Sequence, residues 1–233
     1  MVELTLAGPA KNALGTEMMT SIVERLRAAA GQPVLITGEG DAFSAGLNLK
    51  ELSSLDGDRM LAFLKLLERC MTALYLHDGP TVALVNGHAI AGGCVLTLCC
   101  DRRLMIENPK SKIGLNEVAL GVRFPPRILE IVRRRVPAQH LDEVVLGAGL
   151  FSPTDALRLG LVDEVIDDPQ VARARLSSLA AHPRDVYAIT KKDLRGDEQS
   201  LCRDDVWNER LAAGVATWTS HDVRTKIAAV LKK

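Results

Sequence analysis

The chain has few aromatic residues, no CxxC pair of cysteines and no net charge. Aromatic residues make up 3% of its 233 residues, which argues against a surface on which nucleic-acid bases stack. Its 29 basic and 29 acidic residues cancel, so no large basic surface for nucleic acid is expected. The cysteines number five, and two are adjacent, which indicates free thiols in a reducing compartment rather than structural zinc.

Long hydrophobic segments and several common motifs are also missing. No apolar run approaches the ~18–20 residues that span a bilayer, and the amino terminus does not resemble a signal peptide. HExxH, P-loop and GxGxxG sequences are absent. We therefore expect a cytoplasmic protein with no membrane segment, no nucleic-acid partner and no bound metal.

Strand-like and helix-like segments alternate up to about residue 125. Short apolar segments predict strands at 2–6, 34–37, 81–85 and 102–106, and Gly38 to Ser44 is expected to form a polar turn. Helices are predicted from Thr16 to about Ala30, from Asp58 to about His77 and, fully buried, from Gly92 to Cys99. This alternation predicts α/β layers with mostly parallel strand pairing.

The second half has a different pattern. Only Leu161–Ile166 resembles a strand, and the other segments predict helices at 128–136, 138–146, 153–159, 169–181, 185–194 and 197–231. We therefore expect a core over residues 1–166 and a helical carboxyl-terminal part over residues 167–233, without a flexible linker between them.

Two segments combine a strand, a glycine turn and the start of a helix. These are 42–49, which includes Gly46, and 85–94, which includes Gly92 and Gly93. Free N–H groups at the start of a helix suit an anion or a developing oxyanion. Taken alone, the first segment is better explained by an ordinary turn, and the second can be explained by close packing of a buried helix. Two such segments in one domain modestly favour a paired oxyanion hole.

A third segment, 113–121, contains the carboxylate of Glu117 among apolar residues. Burial there would raise its pKa and suit it to proton transfer near neutral pH. The alternative is a surface glutamate on a loop.

Other polar residues favour structural roles. His88 follows a glycine turn but has no serine or cysteine and acid pattern nearby, and the other four histidines, including His77, resemble surface or capping residues. Arg133–Arg135 resembles a solvated helix face, and Asp101 is expected to cap a helix or to form a structural pair.

Taken together, these segments resemble the enoyl-CoA hydratase/isomerase (crotonase) superfamily. The similarity lies in the order and spacing of Phe43–Leu49, Asn86–Cys94 and Ile113–Glu117 with Leu120-Gly121, and in the flanking segments Pro9–Leu14 and Ala156–Asp163. The resemblance implies a spiral of ββα units, followed by helices that build a homotrimer or a dimer of trimers. The predicted fold class is therefore α/β, a crotonase-like spiral with a helical oligomerisation part.

The resemblance also implies an acyl-CoA substrate and assigns site residues. The thioester carbonyl would lie between the backbone N–H groups of Leu47 and Gly92. The acyl-CoA contacts would come from Ala45, Gly46, Leu47, Asn48 and Leu49, with Asn116 beside the acyl chain. Glu117 would be the catalytic carboxylate. Coenzyme A would arrive as part of the substrate, with no other cofactor and no metal.

The chain departs from the family pattern in three places. Hydratases of this family carry two acidic residues, of which one matches Glu117 and the other falls where this chain has Val95. Asn48 stands where an aspartate is usual, and the loop Arg123–Pro126 also differs. A single carboxylate suits a proton shuttle, and the segments look most like the Δ3,Δ2-enoyl-CoA isomerase branch.

The sequence therefore predicts an enzyme of fatty acid metabolism that moves a double bond of an enoyl-CoA from position 3 to position 2. The open alternatives are hydration or another enolate reaction of the same superfamily, and an acyl-CoA-binding subunit without activity. Apolar faces of the late helices predict subunit contacts; they comprise Val206, Leu211, Val215, Trp218, Ile227, Ala228 and Leu231.

Overall fold

A computed structural model describes residues 1–232 and contains two parallel sheets. The strands are β1 (Val2–Leu6), β2 (Val34–Gly38), β3 (Ala42–Ser44), β4 (Thr81–Val85), β5 (His88–Ile90), β6 (Arg102–Ile106), β7 (Ile113–Gly114) and β8 (Glu164–Ile166). The larger sheet has the order β1-β2-β4-β6-β8 and the smaller one β3-β5-β7. Neighbouring strands in both sheets pair in parallel, in agreement with the mostly parallel pairing predicted from the sequence.

Helices cover most of the remaining chain. They are α1 (Pro9–Asn12), α2 (Thr16–Ala29), α3 (Leu49–Leu52), α4 (Gly57–Tyr75), α5 (Gly92–Cys99), α6 (Glu117–Leu120), α7 (Pro126–Arg135), α8 (Pro153–Arg158), α9 (Gln170–Ala180), α10 (Arg184–Arg195), α11 (Glu198–Leu201), α12 (Asp204–Trp218) and α13 (His221–Leu231). A 3-10 helix at Ala138–His140 and a π-helix at Asp142–Leu146 replace the single helix predicted for 138–146. Within residues 1–232 we find no helix long and apolar enough to span a membrane.

A unit of two strands and a helix occurs three times. In each unit the first strand (β2, β4 or β6) belongs to the larger sheet and the second strand (β3, β5 or β7) to the smaller sheet. The helices that follow are α3 and α4 in the first unit, α5 in the second and α6 in the third. Strands β2 and β4 are continuous apolar segments because both faces of a parallel sheet are covered. The α/β class predicted from the sequence is thus confirmed.

The smaller sheet is the part of the fold that the sequence did not predict. The expected polar turn from Gly38 to Ser44 is wrong, because Ala42–Ser44 is buried strand and Phe43 is completely covered. Strands β5 and β7 were not predicted either. They are three and two residues long, which is too short for a period of two residues to show in the sequence.

The carboxyl-terminal helices pack on the core of their own chain. The long helix predicted for 197–231 is divided into α11, α12 and α13, and Asp197 and Ser220 cap the first and the last of these. Leu211, Trp218 and Ile227 are at most 6% exposed. Their expected use in subunit contacts is therefore wrong, because these side chains are already covered by their own chain. The boundary between 1–166 and 167–233 remains a prediction, and Lys233 lies outside the described residues.

Two further side chains are less exposed than the sequence suggested. His77 is buried, its Nε2 lies 2.8 Å from the Gln32 carbonyl oxygen, and burial lowers its pKa. Arg135 donates to the carbonyl oxygens of Leu98 (3.0 Å) and Cys100 (2.8 Å) at the carboxyl end of α5. A cation stabilises that end of a helix, so Arg135 belongs to the packing of α7 on α5 and not to a solvated face.

Candidate active site

The three segments singled out in the sequence follow β3, β5 and β7, which are neighbours in the smaller sheet. Because the strands are parallel, their carboxyl ends lie at the same edge of the sheet. This topology brings Leu47, Gly92 and Glu117 to one cavity of 20 Å³. The structure thus gives a physical reason for three motifs that are separated in sequence to act together.

Leu47 presents a free backbone N–H group. The residue lies in a parallel bridge with Leu14, whose N–H donates to the Gly46 carbonyl (2.7 Å) and whose carbonyl accepts the Asn48 N–H (3.0 Å). These two bonds flank Leu47, and its own N–H has no acceptor among residues 1–232. Gly46 must be glycine because its φ is 94° and a Cβ would lie 2.7 Å from the Ile90 carbonyl oxygen.

Gly92 is the first residue of the buried helix α5. The residue before it, Ala91, has φ 49° and ψ −116° and forms no capping bond through its side chain. An alanine in this region is strained, and such strain is concentrated at functional sites. The Gly92 N–H has no intrahelical partner and, within the part of the chain that the structure describes, no other acceptor. A donor of this kind is aimed away from the helix, where an anion would be stabilised.

Glu117 is a buried carboxylate without a charged partner. Its side chain is 7% exposed, and its Oε2 accepts no hydrogen bond within residues 1–232. Burial raises its pKa from 4.5 to about 7. The short helix α6 that it begins is closed by Gly121, which has φ 85° and donates to the Glu117 carbonyl (3.0 Å). The alternative that Glu117 is a surface glutamate on a loop is therefore wrong.

The rest of the cavity wall is apolar, and this wall explains the raised pKa. It is formed by Leu67, Met71, Val95, Phe124, Pro125, Ile128 and Trp218. Val95 is 1% exposed, and among the described residues Glu117 is the only carboxylate that lines this cavity. Sequence analysis singled out Val95 but did not place the other wall residues there, because they come from α4, α7, α12 and a loop that are far apart in sequence.

The other predicted substrate contacts do not line the cavity. Ala45 donates its N–H to the Lys11 carbonyl (3.0 Å) and Leu49 begins α3. Asn48 caps α3 by accepting the Glu51 N–H (3.2 Å), which gives this residue a structural function. Asn116 precedes Glu117, and its Oδ1 is buried without a partner among residues 1–232. A contact of these residues with acyl-CoA remains a prediction.

A much larger cavity lies elsewhere and has a structural explanation. It measures 860 Å³ and is lined in part by Asp101, Tyr187, Lys191 and Arg195. Asp101 binds Lys191 (2.9 Å), Arg195 (2.7 Å) and the Tyr187 hydroxyl (2.9 Å), which attaches α10 to the core. The aspartate, lysine and arginine side chains of this groove are engaged in ion pairs or in hydrogen bonds to carbonyls. By contrast, the small cavity at Glu117 combines unpaired N–H donors with an unpaired carboxylate.

Two residues with free N–H groups and a carboxylate of raised pKa at one cavity suit one kind of chemistry. The donors can stabilise a carbonyl oxygen that becomes negative, and the carboxylate can remove and return a proton near pH 7. A family model described as enoyl-CoA hydratase/isomerase matches residues 1–213. The chain belongs to the enoyl-CoA hydratase/isomerase family.

Similar proteins include both isomerases and hydratases of this family. The chain is 32% identical over 200 residues to the mitochondrial enoyl-CoA delta isomerase 1 of Mus musculus, an alignment that covers 82% of this chain and 69% of the mouse protein. The crystal structure of human mitochondrial delta3-delta2-enoyl-CoA isomerase matches with a TM-score of 0.87 at 26% identity, over 97% of this chain and 90% of the human chain. An enoyl-CoA hydratase from Bacillus halodurans matches with a TM-score of 0.83 at 26% identity, over 97% and 95% of the two chains.

These similarities confirm the crotonase-like fold and the family of acyl-CoA enzymes predicted from the sequence. They leave the choice between isomerisation and hydration to the chemistry of the cavity. The mouse relative is named a mitochondrial protein, and the cytoplasmic location expected for this family member remains a prediction.

Proposed function

We propose that this family member is an enoyl-CoA isomerase that converts a 3-enoyl-CoA into a 2-enoyl-CoA. The proposal rests on the residues that line the cavity. Among the described residues, Glu117 is the only carboxylate in this lining, and Val95 is an apolar side chain in the same lining. Hydration requires a water molecule to be activated and a proton to be delivered, which two carboxylates can divide between them. Moving a double bond requires one group that takes a proton and gives it back.

In the proposed mechanism the N–H groups of Leu47 and Gly92 donate to the thioester oxygen. The Glu117 carboxylate removes a proton from C2, and the electron pair forms a dienolate that places negative charge on this oxygen. Each N–H donor stabilises that charge by about 3 kcal/mol in the transition state. Protonated Glu117 then returns the proton to C4, where the C3=C4 π pair forms the new C4–H bond. The C1=C2 pair of the dienolate becomes the C2=C3 bond, and the oxygen lone pair restores the thioester carbonyl.

The apolar wall supports this mechanism in two ways. It raises the pKa of Glu117 to about 7, close to the optimum for a group that must both accept and donate a proton. It also excludes water, which protects the dienolate from side reactions. The mechanism uses groups of this chain and the thioester of the substrate, and we propose no metal or redox cofactor.

The product formed from two isomeric substrates tests the proposal. The protein is incubated separately with 3-hexenoyl-CoA and 2-hexenoyl-CoA, and the products are identified by mass spectrometry and chromatography. We expect 2-hexenoyl-CoA to form from the first at a rate at least about tenfold higher than hydration of the second. Faster formation of 3-hydroxyhexanoyl-CoA would favour a hydratase, and binding without any turnover would favour an acyl-CoA-binding subunit.

A further inference from the structure

The free N–H group of Leu47 lies in a loop that a short amino-terminal segment holds in place. The Lys11 carbonyl accepts the Ala45 N–H (3.0 Å). Leu14 bonds to the residues on both sides of Leu47, and its N–H donates to the Gly46 carbonyl (2.7 Å). Because this trans peptide unit is planar, the Gly46 carbonyl and the Leu47 N–H point in opposite directions. The bond from Leu14 therefore sets the direction of the donor.

The amino-terminal segment has a strained backbone. Three successive residues of α1, namely Ala10, Lys11 and Asn12, have φ values of 51°, 59° and 60°. Residues with a Cβ rarely adopt this left-handed region, although asparagine does so more readily than most. Such strain persists only where the surrounding structure imposes it, and it is concentrated at functional sites. The contacts of Asn12 show what imposes the strain here.

The side chain of Asn12 bonds this segment to the turn before β3. The residue is 3% exposed, and its Nδ2 donates to the carbonyl oxygens of Glu39 (2.9 Å) and Ala42 (2.9 Å). Its Oδ1 accepts the Gly8 N–H (3.2 Å). Both N–H groups of the amide and its oxygen are thus bonded. The amide therefore holds the left-handed segment in one position relative to β3.

Ser44 connects Asn12 to the loop that contains the donor. This serine is the last residue of β3 and is completely buried. Its hydroxyl donates to the Asn12 carbonyl (2.8 Å), and its Oγ accepts the Gly46 N–H (3.3 Å). Gly46 is therefore held at its N–H by Ser44 and at its carbonyl by Leu14. These bonds fix the residue that directly precedes the free donor.

We propose that Asn12 and Ser44 are positioning residues that direct the Leu47 N–H toward the thioester oxygen. The inference rests on the proposed function, which places this oxygen between the N–H groups of Leu47 and Gly92. Among the described residues, neither Asn12 nor Ser44 lines the cavity at Glu117, so both act through the backbone. A donor stabilises a developing charge most strongly when it is oriented before the reaction. The bond between Asn12 and Ser44 provides this orientation without a side chain in the cavity.

The carbonyl stretch of a bound thioester reports directly on the donors. The probe is hexanoyl-CoA labelled with ¹³C at its thioester carbonyl, bound to the full chain and observed by difference infrared spectroscopy. Hydrogen bonds lower the frequency of this band, so we expect the wild type to lower it below the value in water. Ser44→Ala should return the band toward the free value. Asn12→Gly removes the amide but still permits left-handed backbone, so it should have the same effect and also serves if Ser44→Ala does not fold.

Turnover provides a second measurement. In either variant kcat for 3-hexenoyl-CoA should fall by about 10- to 100-fold, since a displaced donor loses much of its effect in the transition state. KM should change by less than about threefold, because the donors bind the substrate less strongly than the transition state. The loss in the double variant should be smaller than the product of the two single losses, since both residues act through one bond.

Thr37→Val is the matched control. Thr37 is a buried residue of β2, and its hydroxyl donates to the Leu84 carbonyl (3.0 Å). Within residues 1–232 this hydroxyl has no hydrogen bond to residues 44–48. The control variant therefore removes a buried hydroxyl and should lower the free energy of unfolding, but should change neither kcat nor the infrared band.

The infrared band separates this inference from the proposed reaction. A wild type that lowers the band without isomerising 3-hexenoyl-CoA would contradict the proposed function, and return of the band in both variants would still support the inference. An unchanged band in a folded Ser44→Ala or Asn12→Gly variant would overturn the inference. A wild-type band at the free value, an equal change in Thr37→Val, single losses that multiply in the double variant, or failure of both variants to fold while Thr37→Val folds would also overturn it.

Discussion

At the scale of single residues, the candidate chemistry depends on how Glu117 is buried. The sequence allowed Glu117 to be singled out by its position in a motif, but not its environment. Phe124 and Trp218 lie near it only in the folded chain, and they come from a loop and from the end of α12. A pKa shift caused by burial is a property of the packed cavity, so local sequence cannot predict it.

Replacing the proposed base tests the function of this carboxylate. Glu117→Gln keeps the size of the side chain but removes its ability to accept a proton. We expect isomerisation to fall by about 10²–10⁴-fold, with little change in the affinity for acyl-CoA. Steady-state rates and binding titrations measure the two quantities. Glu209→Gln on the exposed side of α12 is the control, and a Glu117→Gln variant with normal turnover would contradict the assignment.

The raised pKa of Glu117 predicts a pH dependence. Since the base must be ionised, kcat/KM should increase as the pH rises through about 7. The folded protein binds this proton more tightly than the unfolded chain does, because burial raises the pKa of Glu117 from 4.5 to about 7. The contribution of Glu117 to the free energy of unfolding therefore decreases as the pH rises from 4.5 to about 7. A pH profile of the initial rate provides the check. A constant kcat/KM between about pH 5.5 and about pH 8 would be incompatible with this base.

At the scale of elements, the turn between β5 and α5 positions one proposed donor. A Cβ on Gly93 would lie 2.4 Å from the Ser44 carbonyl oxygen, so Gly93 allows α5 to approach β3. A Cβ on Gly92 would lie 3.1 Å from Leu14 Cδ1 and from Leu47 Cδ2, which are the flexible ends of side chains. The two adjacent glycines therefore have different functions.

This difference predicts different effects on stability. Gly93→Ala forces β3 and α5 apart and should lower the free energy of unfolding by about 1–3 kcal/mol. Gly92→Ala is the matched control and should change it much less, because the leucine side chains can move by a few tenths of an ångström. Urea unfolding of both variants provides the comparison. Equal losses of stability would show that Gly93 has no special packing function.

The elements also show what the sequence could predict. The strands of the larger sheet and the helices around it were predicted because their apolar residues form continuous segments or repeat with a helical period. Strands β3, β5 and β7 have two or three residues and depend on pairing with one another. The glycines after them could be recognised as motifs, but the sheet that brings these motifs together required the tertiary structure.

At the scale of the whole molecule, the end of α12 covers the cavity of its own chain through Trp218. The apolar face of α12 and α13 was expected to contact other subunits, and part of it contacts α4 and the loop 121–125 instead. The sequence could show that this face is apolar, but not what it contacts. Other apolar side chains remain exposed on α10, where Val186, Ile189 and Leu194 are 61%, 62% and 80% exposed.

These exposed side chains support a subunit contact, while the trimer or dimer of trimers remains a prediction. An apolar patch on a helix that is itself firmly attached to the core is typical of a subunit contact. Light scattering at micromolar concentration should give three or six times 25.2 kDa, and Leu194→Asp should lower this mass. Val230→Asp on α13, a partly exposed position outside α10, is the control. A wild-type species of 25.2 kDa would contradict the prediction.

The central claim is that Glu117 carries one proton from C2 to C4 inside a cavity closed to water. The most direct measurement uses 3-hexenoyl-CoA deuterated at C2, incubated with the enzyme in ordinary water and analysed by mass spectrometry after a single turnover. The account predicts that part of the deuterium is recovered at C4 of the 2-hexenoyl-CoA product, because protonated Glu117 exchanges slowly with solvent behind the apolar wall. Product formed at the normal rate with no deuterium at C4 would contradict the account.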